Sequence, residues 1–363
     1  MNMNLTKFKR IFCLGLILGQ LILMLGCSNF FHRHEKPNDK VWNITYFQYF
    51  DTVSNIYSYA GDTEEEFSKN CDLVSTELQT YHQLFDIYHE YSGVVNLCTI
   101  NKNAGGEPQK VDDRLIKFLK YTKELYALTN GKMNVMLGAV LRPWHDARTN
   151  ASDDPQNAKI PEREVLEEAA KHIDINLLDI DEANKTVRIK DPKASIDVGA
   201  VGKGYATEQA AKVLEQKGCK SYVLNIGGNI RIVGTKSNGD GWTTGIKDPN
   251  NPYGGYVMYL KIADTSCVTS GVYERYFMVN GVRYHHIIDE KTLMPANYFI
   301  SLTVITKDSG LADALSTALF CMTYEEGLAL VNTLENVDVL WIYSDGTQKY
   351  TKGIVPIDPN KNK

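Results

Sequence analysis

The sequence predicts an α+β protein, a mostly antiparallel β core with helices packed around it. Three observations carry this. Helical periodicity prevails up to about residue 172, β-rich segments prevail from about 174 to 306, and a further apolar helical stretch follows them. Within the β-rich part only residues 201–217 read as a helix.

The elements follow in order. "NITYFQYFDTVSNIYSYA" (43–60) alternates in polarity as a strand or hairpin does. "DTEEEFSKNCDLVSTELQTYHQLF" begins with a capping residue and acids in its first turn, then keeps helical period. A polar loop is expected from there to about Gly106. "VDDRLIKFLKYTKELYALTNG" is a second amphipathic helix, stopped by Gly131, and a shorter helix leads to Trp144. "HDARTNASDDPQNAKIP" is the most loop-like stretch of the chain and marks a lobe boundary or an insertion. "PEREVLEEAAKHI" is helical again, and "LADALSTALFCMTYEEGLALVN" closes the helical set.

The amino terminus has its own logic. Lys7, Lys9 and Arg10 precede an apolar run, Ile11 to Leu25, that ends in "LMLGCSN". This is the pattern of a secretory signal, too short to favour a permanent span, and Gly26-Cys27 resembles a lipoprotein cleavage site. Residues 1–26 are therefore expected to be a lipoprotein signal peptide, 27–42 a tether lipidated on Cys27, and 43–356 the working domain, open to division into two lobes. The setting is extracytoplasmic, with a lipid anchor in a bacterial cell membrane. Loss of the three leader cations takes the formal net charge from −5 to −8, which excludes nucleic acid as a natural partner. Five cysteines remain after Cys27, with no CxxC pair, which argues against thiolate metal sites and a disulfide framework.

Three segments carry chemistry. "DVGAVGKGYATE", at the start of the 201–217 helix, is neither a Walker A loop nor a dinucleotide fingerprint by spacing. Its glycines, free helix-start N–H groups and Lys203 nevertheless suit a phosphate, with a tight strand-to-helix turn as the bland alternative. Asp313 and Thr317 lie four apart on one helix face and suit a hard cation such as Mg²⁺. The alternative there is an acid favoured by the helix dipole and a threonine bonded back to the preceding turn. In "GVRYHHIIDEKTLMPA", His285 and His286 fall on opposite faces of a strand, so that one can face a cleft as a base or both can be structural.

Taken together and in register, these segments resemble the ApbE family of FAD:protein FMN transferases over roughly residues 45–350. The resemblance rests on "YHEYS" (88–92), "TNGKMN" (129–134) followed by Trp144, "IDVGAVGKGYATE", "VLNIGGNIRIVG", "VTSGVYERYF", "YHHIIDEKTLMP" and "ADALSTALF". It implies Mg²⁺ held by the Ala200 carbonyl, Asp313 and Thr317, with Ser316 beside them. It implies FAD bound by Tyr88, stacked on the isoalloxazine, and by Phe50, Lys132, Met133, Asn134, Asp197, Lys203 and Ile287, with His286 catalytic. Asn134 and Glu208 replace aspartates of the family pattern, Val272 stands where an aspartate is common, and Glu290 and Leu293 replace its proline and glycine.

The implied reaction is Mg²⁺-dependent transfer of FMN from FAD to a threonine or serine hydroxyl of an acceptor flavoprotein, through a phosphoester, releasing AMP. The implied acceptor is a membrane or extracellular electron-transfer component bearing D-x-x-[ST]-G-A-[ST], a motif this chain lacks. Hydrolysis of FAD to FMN and AMP is one alternative. A flavin-binding lipoprotein without chemistry is another, against which the intact Asp313, Thr317 and His286 argue.

Overall fold

The computed structural model describes residues 41–358, apart from 60 and 252. The signal peptide, Cys27 and most of the expected tether lie outside them. The described residues belong to one compact unit.

An eight-stranded sheet forms the centre, in the order 42–46, 54–58, 221–226, 229–234, 266–271, 301–306, 338–342, 348–350. Every neighbouring pair in it is antiparallel. Its strands come from both ends of the chain as well as from the β-rich middle. The Gly227-Gly228 turn joining 221–226 to 229–234 has both residues at positive φ, 57° and 90°, which a two-residue hairpin favours.

Eight helices are described: α1 (Glu64–Phe85), α2 (Leu97–Lys102), α3 (Asp113–Leu128), α4 (Gly138–Asp153), α5 (Arg163–Ala169), α6 (Gly202–Gln216), α7 (Ser309–Phe320) and α8 (Tyr324–Val331). α6 packs on strand 229–234, on α1 and on α7, while α7 packs on strands 266–271 and 301–306. The small side chains of α6 and α7 permit this closeness: Ala206, Ala210, Ala211, Ala312, Ala314 and Ala318 are all fully buried.

Several sequence expectations shift. The hairpin at 43–60 and the helix after it form as read, the latter with a Thr63–Glu66 capping box. The loop to Gly106 contains α2, capped by Asn96, whose carboxamide accepts from Thr99 N–H at 3.0 Å. The third helix ends at Leu128, and Gly131 (φ 86°) serves the turn after it. α4 continues past Trp144 to Asp153 although it contains Pro143, so the first half of the expected lobe boundary is helical. Burial explains this: Val140, Trp144, Ala147 and Ala151 form one apolar face against Phe277, Ile288 and Leu293. The last helical stretch is two helices, because a Thr323–Glu326 capping box starts α8 anew. Strand order begins at Trp42, one residue inside the expected tether.

Leu214 lies in the fully buried face of α6. Leu214→Ala is expected to lower the unfolding free energy by about 2–5 kcal/mol. A urea midpoint within error of the parent's would show that the α6 face is not a packed core.

Candidate active site

The site begins at the end of α1. Asp86 follows the helix, and its carboxylate accepts from the backbone N–H of Tyr88 (2.7 Å) and His89 (3.0 Å) and from the Tyr91 hydroxyl (2.8 Å). Burial works against the charge on Asp86, yet these donors hold its carboxyl below the usual carboxylate range. The turn so fixed leaves Tyr88 53% exposed. Its hydroxyl lies 3.1 Å from His145 Nδ1, and His145 Nε2 lies 3.8 Å from Asp197. Asp197 in turn accepts from Gly199 N–H at 2.8 Å. A line of polar contacts thus runs from an exposed aromatic face, suited to stacking, into the glycine loop. Phe50 belongs to the turn between the first two strands, at a φ of 53°, with its ring edge-on to His82 at 5.6 Å.

The glycine loop meets α7 at close range. Gly204 N–H donates to Asp313 Oδ2 at 2.8 Å, and Lys203 Nζ lies 3.9 Å from the same oxygen. Only glycine fits at 204, because a Cβ there would overlap the Ser309 carbonyl and the Asp313 side chain. Gly202 N–H uses the Val198 carbonyl at 2.8 Å and Tyr205 N–H that of Val201 at 3.0 Å, while Gly204 N–H turns to Asp313, so the Ala200 carbonyl is left outside the helix ladder. Asp313 is 5% exposed, and burial pushes its carboxyl up while Lys203 and the Gly204 N–H oppose the shift.

Thr317 bears on the two readings of this helix. Elsewhere Thr76, Thr80, Thr149 and Thr207 bond back to the carbonyl four residues earlier. Here Ser316 bonds back to Asp313 O (2.8 Å), and among the described residues the half-buried Thr317 hydroxyl has no hydrogen bond. Asp313 likewise uses only Oδ2. Among the described residues no three His, Cys, Asp or Glu side chains converge as a metal cage. One carboxylate, one hydroxyl and one free carbonyl instead suit Mg²⁺, which keeps waters and takes its remaining oxygens from a substrate phosphate.

The two histidines separate cleanly. His285 ends its strand buried, with Nε2 donating to Ala296 O (2.7 Å) and Nδ1 accepting from Ile287 N–H (3.2 Å). Both of its nitrogens are occupied, so it is structural. His286 follows the strand. Its Nδ1 lies 3.1 Å from the Arg275 carbonyl, to which it can only donate, leaving the Nε2 lone pair free. Burial first, then the Arg275 charge, with His285 and Lys203 adding to it, pushes this imidazole down to about 3. It is neutral at physiological pH.

Not every expected contact converges. Met133 is buried in the core, and Asn134 is engaged with Ile173 O (2.9 Å), Glu290 (3.2 Å) and Met136 N–H (2.9 Å). What these two can offer a ligand is backbone. Lys132 is paired with buried Asp289 at 3.1 Å. Ile287 is buried, with its N–H and carbonyl both used.

Sequence reading missed His145, Arg148 and Arg275. His145 and Arg148 line a small cleft together with His286, and Arg148 lies within electrostatic reach of Tyr88, Asp197 and Arg275. A helical reading of "WHDAR" would have placed them, since positions three apart share a face.

An ammonium at a helix start and an uncommitted carboxylate–hydroxyl pair suit a metal-bound diphosphate, and a neutral base stands beside them. Such an arrangement suits an α+β enzyme that acts on a phosphate-bearing substrate. Residues 41–341 match the model of the ApbE family, and the chain belongs to that family. It is 30% identical over 319 residues to the FAD:protein FMN transferase of Treponema pallidum, covering 84% of this chain and 85% of that one. The FAD:protein FMN transferase of Vibrio cholerae is 27% identical over 346 residues, covering 92% and 95%. Among solved structures, the ApbE protein of Thermotoga maritima superposes with a TM-score of 0.75 at 27% identity, over 86% of this chain and 98% of its own. The Vibrio cholerae flavin transferase ApbE, at 24% identity and a TM-score of 0.72, shares the fold over 87% and 99%.

Two outcomes follow from this geometry. Gly204→Ala should abolish turnover while Gly202→Ala, whose Cβ would meet only Phe85 and Val198 side-chain carbons at 3.2 and 3.3 Å, should remain active. Equal activity in both would remove the close α6–α7 approach from the site. The second concerns protons. His286 binds a proton near 3 when folded and near 6.5 when unfolded, so the unfolded state holds more protons between these values. Its contribution to stability is complete above about 6.5 and is lost as pH falls toward 3. In the free protein its NMR resonances should show no titration between pH 5 and 8; a midpoint near 6.5 would contradict the assigned surroundings.

Proposed function

We propose that the chain transfers FMN from FAD to a serine or threonine hydroxyl of an acceptor flavoprotein, releasing AMP. The uncommitted Asp313 Oδ1 and Thr317 hydroxyl, beside Lys203 at a helix start, carry this reading. Flavin transfer is named for relatives that align over most of both chains, which supports carrying the activity to this one.

The residues divide the work. Tyr88 stacks on the isoalloxazine, and its turn is held by Asp86. The Lys203 ammonium, at the start of α6, holds the diphosphate. Asp313, Thr317 and the Ala200 carbonyl would hold Mg²⁺, which when bound supplies charge neutralisation on the phosphate oxygens. His286 Nε2 takes the proton of the acceptor hydroxyl. The hydroxyl oxygen forms the new bond to the phosphorus of the FMN half, the anhydride bond breaks, and AMP leaves with the bridging oxygen. Diphosphate charge near Lys203 and Arg275 opposes the two cations that weaken His286, so the imidazole is a stronger base in the complex than in the free protein.

We also read the chain as a lipoprotein anchored through Cys27 outside the cytoplasm. Among the described residues no helix is long and apolar enough to cross a membrane. Mass spectrometry of the membrane-extracted protein should find the mature chain beginning at a diacylated Cys27; a chain retaining residues 1–26 would reject this.

The activity is tested with FAD, Mg²⁺ and a small domain carrying D-x-x-[ST]-G-A-[ST]. A fluorescent acceptor band in a denaturing gel, one AMP per band, and loss of both with EDTA are expected. AMP with free FMN and a dark acceptor would identify a hydrolase instead. His286→Asn should lower kcat by about 10²–10⁴-fold. Asp313→Ala should lose turnover at any Mg²⁺ concentration, and retained turnover would reject the metal assignment.

A further inference from the structure

α6 and α7 are joined by two hydrogen bonds that mirror each other. Gly204 N–H on α6 donates to the Asp313 carboxylate on α7 at 2.8 Å. Four residues later on α6, the Glu208 carboxylate accepts from Ser309 N–H on α7 at 3.0 Å, and Ser309 stands four residues before Asp313. A spacing of four is about one helical turn on each side, so the two bonds are a turn apart along one contact line. The first bond belongs to the site already described. The second lies one turn away through Ser309, whose carbonyl closes on Gly204, and holds the same two helices.

Glu208 is buried, and its Oε2 also receives Arg231 Nε at 3.1 Å. Arg231 lies in the central sheet, is 0% exposed, and holds Glu215 at 2.6 Å as well. A buried arginine needs its partners, because an unpaired charge in the interior is costly. The sheet therefore holds Glu208 in place, and Glu208 holds the first residue of α7. The carboxylate has to span two separate donors, one on a strand and one on a helix. Aspartate, shorter by one methylene, lacks that reach from the same backbone position. Glutamine has it, and keeps an oxygen acceptor while losing the charge.

We propose that Glu208, anchored by Arg231, is a positioning residue that sets α7 against α6 and so fixes the distance between Asp313 and Lys203. This rests on the transferase reading above for its kinetic consequences, though not for its structural ones. Glu208 touches neither FAD nor the reacting atoms; it acts through Ser309 and the placement of Asp313.

Reach separates this role from a generic contribution of buried charge. Three full-length variants are compared with the parent: Glu208→Asp, Glu208→Gln and Glu215→Gln. The last removes the charge of another Arg231 partner without touching α7. Two measurements are made on each. One is amide hydrogen exchange at Gly204, whose N–H is held by Asp313. The other is kcat, FAD KM and the Mg²⁺ concentration giving half-maximal rate.

Glu208→Asp is expected to speed Gly204 exchange at least tenfold, lower kcat at least tenfold and raise the half-maximal Mg²⁺ severalfold, with FAD KM within about threefold. Glu208→Gln should restore kcat and Gly204 exchange to within about threefold of the parent. Glu215→Gln should change neither, whatever it does to the melting temperature. Parent-like exchange in Glu208→Asp, or a loss in Glu208→Gln equal to that in Glu208→Asp, would overturn the proposal. Slow exchange restored by Gln in a parent protein that releases no AMP would uphold the positioning role and reject the transferase reading instead.

Discussion

The site depends on how closely α6 can approach α7. Gly204 is the point of contact: with no Cβ it lets its own N–H reach Asp313 from one helix to the next. Alanines on both helices extend the same closeness through the layer, and strands 229–234, 266–271 and 301–306 support it from below. A buried carboxylate is costly unless it is paired. Here a backbone N–H and an ammonium partly meet that cost on one oxygen, and the other oxygen stays uncommitted. That unequal arrangement suits a metal ligand.

The rest of the site is arranged around this pair by separate devices. Asp86 locks a turn that holds Tyr88 outward, at the end of the helix that packs on α6. His145 connects that tyrosine to Asp197 and hence to the loop before α6. The Arg275 carbonyl orients His286 and fixes its tautomer, while burial first and then the cations around it keep the ring neutral. The exposed Tyr88 ring, the glycine loop and the His286 imidazole are thus each held by contacts that need no ligand to be in place. Preorganisation of this kind keeps the ordering cost out of the reaction.

Much of this was legible in the sequence, and the misses have physical causes. The glycine loop, the helix behind it and the Asp313–Thr317 spacing could be read because positions four apart on a helix share a face in any context. The hydrogen bonding that bears on metal pair against structural threonine could not, since Ser316 bonds back to the helix and Thr317 does not. The segment after Trp144 reads as a loop because Asn150 and the acids around Asp153 outweigh, in local propensity, an apolar face that exists only once Phe277 and Leu293 cover it. That error hid His145 and Arg148. Met133 and Asn134 show the opposite case: a motif marks them, and the fold uses their side chains for itself.

The central claim is that Asp313 and Thr317 form an open half-site for a divalent cation completed by the substrate. The most direct measurement is a crystal structure with FAD and Mn²⁺, with the cation located by its anomalous signal. The account predicts one strong peak within ligand distance of Asp313 Oδ1, Thr317 Oγ1 and the Ala200 carbonyl, bridging to the FAD diphosphate. FAD bound with its diphosphate away from Lys203, or a peak that touches neither Asp313 nor Thr317, would contradict it.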